Sequence, residues 1–224
     1  MSLVALIAQA NDQGLATAGL ACLDRCTPLL GGEDGVLRPL WTSIAEGEGW
    51  PERLAEARVA LGAVAEPVGA AGGPHPPAGG VATGVRTARE EARALVLRML
   101  GTAPEALPGE SAAPVTAAAT VTATGAASSG HAPLNAWADA CSLAALRVHA
   151  LMDGTQDGPA AVAAYREGRT DGITPLAASE LRSQTDVLTM MAEHGAGALR
   201  HALEVTTEGR RILRAAVSRR ARVR

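Results

Sequence analysis

Residues 134–153 read LNAWADACSLAALRVHALMD, and this stretch decides the fold class. Apolar residues recur along it at the three-and-four spacing of one helical face, namely Leu134, Trp137, Cys141, Ala144, Val148 and Leu151. Gly154 directly after the stretch predicts the end of a helix. Leu143 and Leu146 add apolar side chains on the opposite face, and a helix that is apolar on two sides is usually central and buried. We therefore predict a central helix in an all-α fold.

Similar periodicity predicts further helices on both sides of this one. They cover about residues 15–26, 36–46, 54–64, 88–99, 159–167, 174–194 and 196–220. Thr87 and Glu90 form a capping box, which predicts that the fourth of these begins there. The abundance of Ala and Leu and the absence of Phe also favour helices over strands. The expected architecture is a helical bundle of about seven or eight helices.

Two stretches interrupt the helical pattern. Residues 67–83 are a Gly/Pro-rich loop containing GGPHPPAGG, and residues 102–133 are an Ala/Thr/Ser-rich low-complexity insertion. Neither has enough large apolar side chains to offset the entropy of ordering it. A domain boundary at the insertion would leave each half with only a few short helices. We therefore predict a single domain over residues 1–224 with two long flexible insertions and an Arg-rich tail at residues 219–224.

The basic residues exclude several classes of enzyme. All 20 are arginines, because the chain contains no lysine, and its richness in Ala, Gly and Pro is typical of a GC-rich bacterial genome. Schiff-base enzymes, Walker A loops, S-x-x-K hydrolases and kinases all require a lysine at a fixed place. These four classes are excluded.

Three cysteines and the lack of targeting signals indicate the cytoplasm. Cys22, Cys26 and Cys141 are too few for a secreted disulfide scaffold and are interpreted as buried thiols in a reducing compartment. Residues 1–10 lack the basic start of a signal peptide, and the longest weakly apolar run, residues 112–127, is mostly Ala and Thr. We expect a cytoplasmic protein with no membrane contact.

A resemblance to a known family rests on two segments. ADACSLAALRVHALMDG at residues 138–154 follows LACLDRC at residues 20–26 and an LW-x-x-I pattern at residues 40–44. In this order they resemble the YjaG-like family of uncharacterised small helical bacterial proteins. The strongest matches are Asp139, Ala140, Cys141 and His149, while the two insertions and the Arg-rich end depart from the pattern. The resemblance covers about half of the chain and implies an all-α fold with no established activity.

Asp139, Ser142 and His149 share one sector of the predicted central helix and are the candidate ligand-binding residues. A rise of 1.5 Å per residue separates Asp139 from His149 by about 15 Å, so they cannot form a catalytic triad, and no catalytic residue is predicted. Polar side chains on a buried helix must find partners. They belong either to a structural network, in which Asp139 serves an arginine or a helix terminus, or to a small pocket.

Metal-ligating residues are spread along the chain. Cys22 and Cys26 lie one helical turn apart, and His194 and His201 lie two turns apart, but no set of four convergent ligands is visible. The cysteines fit a core and the histidines fit a solvated face. We predict no metal site and no cofactor.

The C-terminal end is basic whereas the rest of the chain is acidic. Residues 210–224 contain seven arginines and no acid, and residues 1–209 carry 13 arginines against 23 acids. The candidate contacts to a partner or a phosphate are Arg210, Arg211, Arg214, Arg219 and Arg220. Stabilisation of a helix C-terminus is the alternative role. The acidic body and the scarcity of aromatic residues count against nucleic-acid binding.

We expect a non-catalytic protein that acts by protein–protein interaction or self-association, in an adaptor, regulatory or immunity-like role. An alternative is a small-molecule-binding protein or enzyme with a pocket near Asp139 and His149. A third hypothesis is a nucleic-acid accessory protein that uses the C-terminal arginines.

Overall fold

The computed structural model of the protein describes residues 1–31, 35–65, 80–109, 130–155 and 157–222, with side chains for all of these except residues 63–65 and 80–86. The regular structure in these ranges is helical without a strand, which confirms the all-α prediction. It consists of α1 (Leu3–Gln9), α2 (Asp12–Cys26), α3 (Arg38–Glu46), α4 (Trp50–Ala65), α5 (Gly80–Gly101), α6 (His131–Asp153), α7 (Pro159–Arg166), α8 (Pro175–His194) and α9 (Leu199–Arg222). Short 3-10 turns at Thr27–Leu29 and Gly195–Ala198 adjoin α2 and α9. None of the described helices combines the length and apolarity of a membrane span.

The helices α2 and α6 form the centre of the fold. Every residue of α2 from position 14 onward is buried. Its sequence LATAGLACL at residues 15–23 presents small or apolar side chains on all sides, and such a helix is stable only inside a core. Among the described helices α2 and α6 have the most extensive mutual contact, and both also pack against α8 and α9.

Gly19 sets how closely α2 approaches α6. A Cβ atom at this position would lie 2.4 Å from Cζ3 of Trp137, so the indole ring covers the bare backbone of α2. Trp137 also donates its Nε1–H to the carbonyl of Met99 at 2.8 Å, and its ring meets that of Trp50 edge-on with centroids 6.2 Å apart. One side chain of α6 therefore fixes the positions of α2, α4 and α5.

Arginines stabilise the C-terminal ends of two helices. Arg58 of α4 donates to three carbonyls between residues 100 and 103 at the end of α5. Arg220 of α9 donates to the carbonyl of Leu151 at 2.5 Å, at the end of α6. The last carbonyls of a helix lack intrahelical donors and carry the negative end of its dipole. A guanidinium at this end donates hydrogen bonds to the carbonyls and also places a positive charge near the dipole's negative end.

One helix was missing from the sequence prediction. In α1 the Ser2 side chain accepts from the backbone N–H of Ala5 at 3.3 Å, which caps the helix. Leu3 and Ile7 are buried, and α1 packs against α6 and α8. A helix of seven residues is too short for its periodicity to stand out, so tertiary contacts rather than local pattern stabilise it.

Several predicted boundaries differ from the structure. Helix α5 begins at Gly80 and runs through the Thr87 motif, so the start predicted from the capping box is wrong. The predicted insertion at 102–133 is shorter at both ends: Ala103 is buried, the carbonyl of Pro104 accepts from Trp50 at 2.8 Å, and α6 already begins at His131. Residues 67–79 and 110–129 of the predicted loops lie outside the described residues.

The predicted Arg-rich tail at residues 219–224 is helical over residues 219–222, since α9 ends at Arg222, and residues 223–224 lie outside the described part. Arginine is a good helix former, and the bond from Arg220 to α6 anchors this turn.

We expect Gly19→Ala to lower the free energy of unfolding by about 1–3 kcal/mol, because the new methyl group must displace the Trp137 ring. Urea denaturation monitored by circular dichroism measures this. Gly62→Ala in α4 is the matched control, because a Cβ there meets nothing within 4 Å, and it should raise stability by about 0.5–1 kcal/mol. A Gly19→Ala protein as stable as the wild type would contradict the close approach of α2 to α6.

Candidate functional site

A fully buried ion pair joins α2 to α8. Arg25 donates from Nε and Nη2 to the two carboxylate oxygens of Glu180, at 2.7 Å each, and neither side chain is more than 1% exposed. This fork geometry satisfies both oxygens at once, which is the strongest form of a guanidinium–carboxylate pair. It is made possible by Gly209 of α9, where a Cβ would lie 2.4 Å from Cδ of Arg25.

Two of the predicted ligand-binding residues extend this pair into a network. Ser142 donates its hydroxyl to Oε1 of Gln184 at 2.6 Å, and Gln184 donates to Oε1 of Glu180 at 2.8 Å. Nδ1 of His149 lies 2.7 Å from the carbonyl of Ala145 and must donate to it, while Nε2 lies 3.6 Å from Oε2 of Glu180. Ser142 and His149 are therefore both bound to groups inside the core.

Electrostatic interactions within the network keep the carboxylate of Glu180 ionised. Burial alone acts to raise the pKa of Glu180, but Arg25, His149 and the hydrogen bond from Gln184 outweigh it and hold the pKa below its usual range. Burial also raises the pKa of Cys22 to about 12, and raises those of Cys26 and Cys141 as well. All three cysteines are free and buried, as predicted, and they stay as neutral thiols rather than nucleophilic thiolates.

The structure separates Asp139 from Ser142 and His149. Its carboxylate forms an ion pair with Arg166 of α7, so of the two predicted partners, an arginine or a helix terminus, it has the arginine. The Asp139 side chain is 42% exposed, whereas that of Arg166 is 5% exposed. Asp139 therefore holds α7 against α6 and is not part of the buried network.

The cavity beside Ser142 is too small for a ligand. It has a volume of about 10 Å³ and is lined by Cys22, Arg25, Ser142 and Gln184 among others. Ligand pockets usually measure about 300–1,000 Å³. Of the two alternatives left open by the sequence, the structural network is the one that Ser142 and His149 form.

The five C-terminal arginines do not form one surface. Arg210 donates to Asp24 at 2.7 Å, and this carboxylate, which is buried, also accepts from the indole of Trp41 at 2.9 Å. Arg220 is bonded to α6, as described above. The other three are exposed, and of these Arg211 lies 3.6 Å from Glu208. Two of the predicted contact residues thus stabilise the fold instead.

The two histidines that were considered as metal ligands are exposed to solvent. The side chains of His194 and His201 are 56% and 50% exposed, each near a glutamate. In the described ranges no group of three or more His, Cys, Asp or Glu side chains is arranged to hold a metal ion.

A large apolar groove lies on the opposite side of α6. We call it the α6 groove: its floor is α6, one wall is α5, the other wall is α7, and its volume is about 660 Å³. The floor carries Ala136, Ala140 and Ala144 in one row, with Leu143 beside them. Ala136 and Ala140 are exposed, and Leu143 and Ala144 are half-buried. Of the two residues predicted to form the second apolar side of α6, Leu146 is fully buried as predicted, whereas Leu143 lines this groove and is only half-buried.

Apolar side chains also line the walls of the α6 groove. Leu95 and Met99 project from α5, and Val162 and Ala163 project from α7. Along the floor the groove runs from Pro133 to Arg147, which corresponds to about 21 Å of helix. The floor is therefore about as long as four turns of an α-helix.

The charges at the α6 groove are basic. Its lining contains Arg98 and Arg147 and no acidic residue. Arg147 is neutralised because it donates from Nε and Nη2 to Glu91 of α5, and its Nη1 donates to the carbonyl of Asp157 before α7. This links the two walls at one end. Arg98 is exposed, and within the described ranges its guanidinium has no partner.

The sequence prediction missed the charged half of the network. Asp24, Arg25, Glu180 and Gln184 were not among the predicted site residues, and neither was Arg166. One signal was present: Asp24 and Arg25 end an apolar stretch of a helix that has no polar side, so their charges had to be paired inside the core. Their partners lie 186 and 155 residues away, at distances that local spacing does not encode.

Comparison with protein-family models, curated proteins and solved structures gives no match to this chain. The resemblance to the YjaG-like family stays a prediction from the residues quoted above.

We expect Glu180→Gln to lower the free energy of unfolding by roughly 3–5 kcal/mol, because it leaves the buried Arg25 without a counter-charge. Chemical denaturation at pH 7 measures this. The matched control is Glu105→Gln, which removes the same charge from a pair with Arg58 at the surface and should change stability by less than about 1 kcal/mol. Equal effects of the two substitutions would contradict the buried pair.

The contribution of Glu180 to stability should depend on pH with a definite sign. Its folded pKa is lowered, so the stabilisation is complete above the unfolded value of about 4.3 and is lost as the pH falls through the folded value. The difference in unfolding free energy between wild type and Glu180→Gln should therefore be constant near neutral pH and shrink in acid. A difference that grows in acid would mean that the pKa of Glu180 is raised.

Proposed function

We propose that the protein is a non-catalytic binding protein that receives a protein partner in the α6 groove. The observation that carries this proposal is the apolar strip of α6 that none of the described helices covers, where Ala136 and Ala140 are exposed between two apolar walls. Large exposed apolar surfaces on folded proteins usually mark interaction sites, because contact with water is unfavourable for them. Helix-lined apolar grooves are a common way to bind a segment of another protein.

The chemistry of the remaining polar residues supports a binding role over a catalytic one. Ser142 and His149 are buried and bonded within the core, and the cysteines are neutral thiols. The groove is lined by apolar side chains, Thr102 and two arginines, and neither arginine acts as a general base at neutral pH. The side chains around the groove suit burial of apolar surface and pairing with a negative charge.

Photo-crosslinking in the native host tests the proposal. A photo-reactive amino acid replaces Thr102, an exposed residue on the rim of the groove. We expect a covalent adduct with a protein partner. The adduct should be lost when Ala140→Trp is added, because the large side chain fills the floor of the groove without entering the core.

The same substitution at Ala55, an exposed residue of α4, is the matched control and should leave the adduct unchanged. Circular dichroism and denaturation confirm that both variants fold. An adduct at Thr102 that still forms in the Ala140→Trp variant would contradict the proposal. Partner adducts formed only by a crosslinker at Ala215, an exposed residue beside the C-terminal arginines, would favour that surface instead.

A further inference from the structure

We infer that the occupant of the α6 groove is an amphipathic α-helix of the partner, with small residues on its apolar face and an acidic residue that pairs with Arg98. The inference rests on the proposed function and adds the chemistry of the partner to it. Three features of the groove support it: the floor, the walls and the uncompensated charge.

The floor suits a closely packed helix. Ala136, Ala140 and Ala144 are four residues apart and therefore lie in one row along α6. Packed helices are usually about 8–10 Å apart between axes, and small side chains at the contact allow the shorter distances. A partner helix with Ala, Gly or Ser in a matching row would fit over this floor.

The walls provide the apolar contacts on either side. Leu95 and Met99 of α5 and Val162 of α7 can contact larger side chains that flank the small row on the partner. The floor length of about 21 Å corresponds to about 14 residues of helix, or four turns. Arg147 links the two walls and closes one end of the groove. The partner helix must therefore extend out of the groove at its other end, near Pro133.

The charge at the rim selects an acidic partner. Arg147 already has a carboxylate partner, whereas Arg98 has none in the part of the chain that the structure describes. The local excess of positive charge contrasts with the net charge of −3 of the whole chain. A carboxylate at the edge of the partner helix would pair with Arg98 at the boundary of the groove, where desolvation strengthens the contact.

A display library tests the inference without knowledge of the natural partner. Helical peptides of about 16 residues, randomised on one face, are selected on the wild-type protein and counter-selected on the Ala140→Trp variant. We expect the enriched peptides to carry small residues four positions apart and an Asp or Glu beside that row. Free peptides made from them should gain helicity on binding.

Charge reversal then tests the pairing. Arg98→Glu should weaken the binding of an enriched acidic peptide by about five- to tenfold in low salt. Replacing the acidic residue of that peptide with Arg should restore its affinity for the Arg98→Glu variant. Arg89→Glu is the matched control, because nine residues along α5 place it on the opposite face of the helix, and it should leave the affinity unchanged. Enriched peptides whose binding ignores Arg98→Glu would overturn the acidic partner.

The remaining outcomes separate this inference from the proposed function. No enriched helix together with a Thr102 adduct that Ala140→Trp removes would overturn the helix while the protein partner stands. Binding of dodecanoate that Ala140→Trp abolishes, with no protein adduct, would overturn both in favour of a small apolar ligand. Dimerisation of the wild type that Ala140→Trp abolishes would make a second copy the occupant and would also overturn the inference.

Discussion

The buried guanidinium of Arg25 is the constraint on which the rest of the core depends. An isolated charge inside a protein is strongly unfavourable, so Arg25 requires a carboxylate placed to bind it in a bidentate manner, and Glu180 of α8 provides one. The same side chain leaves no room for a Cβ on the facing helix, which makes Gly209 of α9 necessary. Gln184 connects this pair to α6, because it donates to Glu180 and accepts from Ser142. Hydrogen bonds that have little tolerance in distance or angle thus hold α2, α6 and α8 in one arrangement, and the close approach at Gly209 adds α9 to it.

The other side of α6 is organised by contacts that leave a gap. Helix α7 is held by the pair of Arg166 with Asp139, and α5 is held by the bond from Trp137 to Met99. Both helices lie against α6, but on different flanks, so no helix of the described ranges covers the strip of α6 between them. Arg147 then fixes the separation of the two walls at one end.

The helices were predictable from the sequence because their signals are local. Periodicity identified eight of the described helices, and Gly154 correctly marked the end of one of them. The rule that a carboxylate on a buried helix needs a donor gave two alternatives for Asp139, an arginine or a helix terminus, and the structure shows the arginine. The buried ion pairs did not follow, since they join residues far apart in the chain. The groove was missed for a different reason: Ala144 and Leu143 have the spacing of core positions, and periodicity does not reveal whether a neighbouring helix covers them.

An alanine floor reconciles the stability of the free protein with the binding of a partner helix. Alanine has the highest helix propensity, so α6 remains helical on this face without large side chains. Leucine at Ala136 or Ala140 would expose more apolar area to water in the free protein and would occupy the volume that a partner needs. The alanines bury little area in the free state, whereas the opposite face of α6 carries Ser142, Ala145 and His149 in the core. Substitutions on the two faces should therefore have separable effects, because the core face determines the free energy of unfolding and the alanine face determines what the groove can bind.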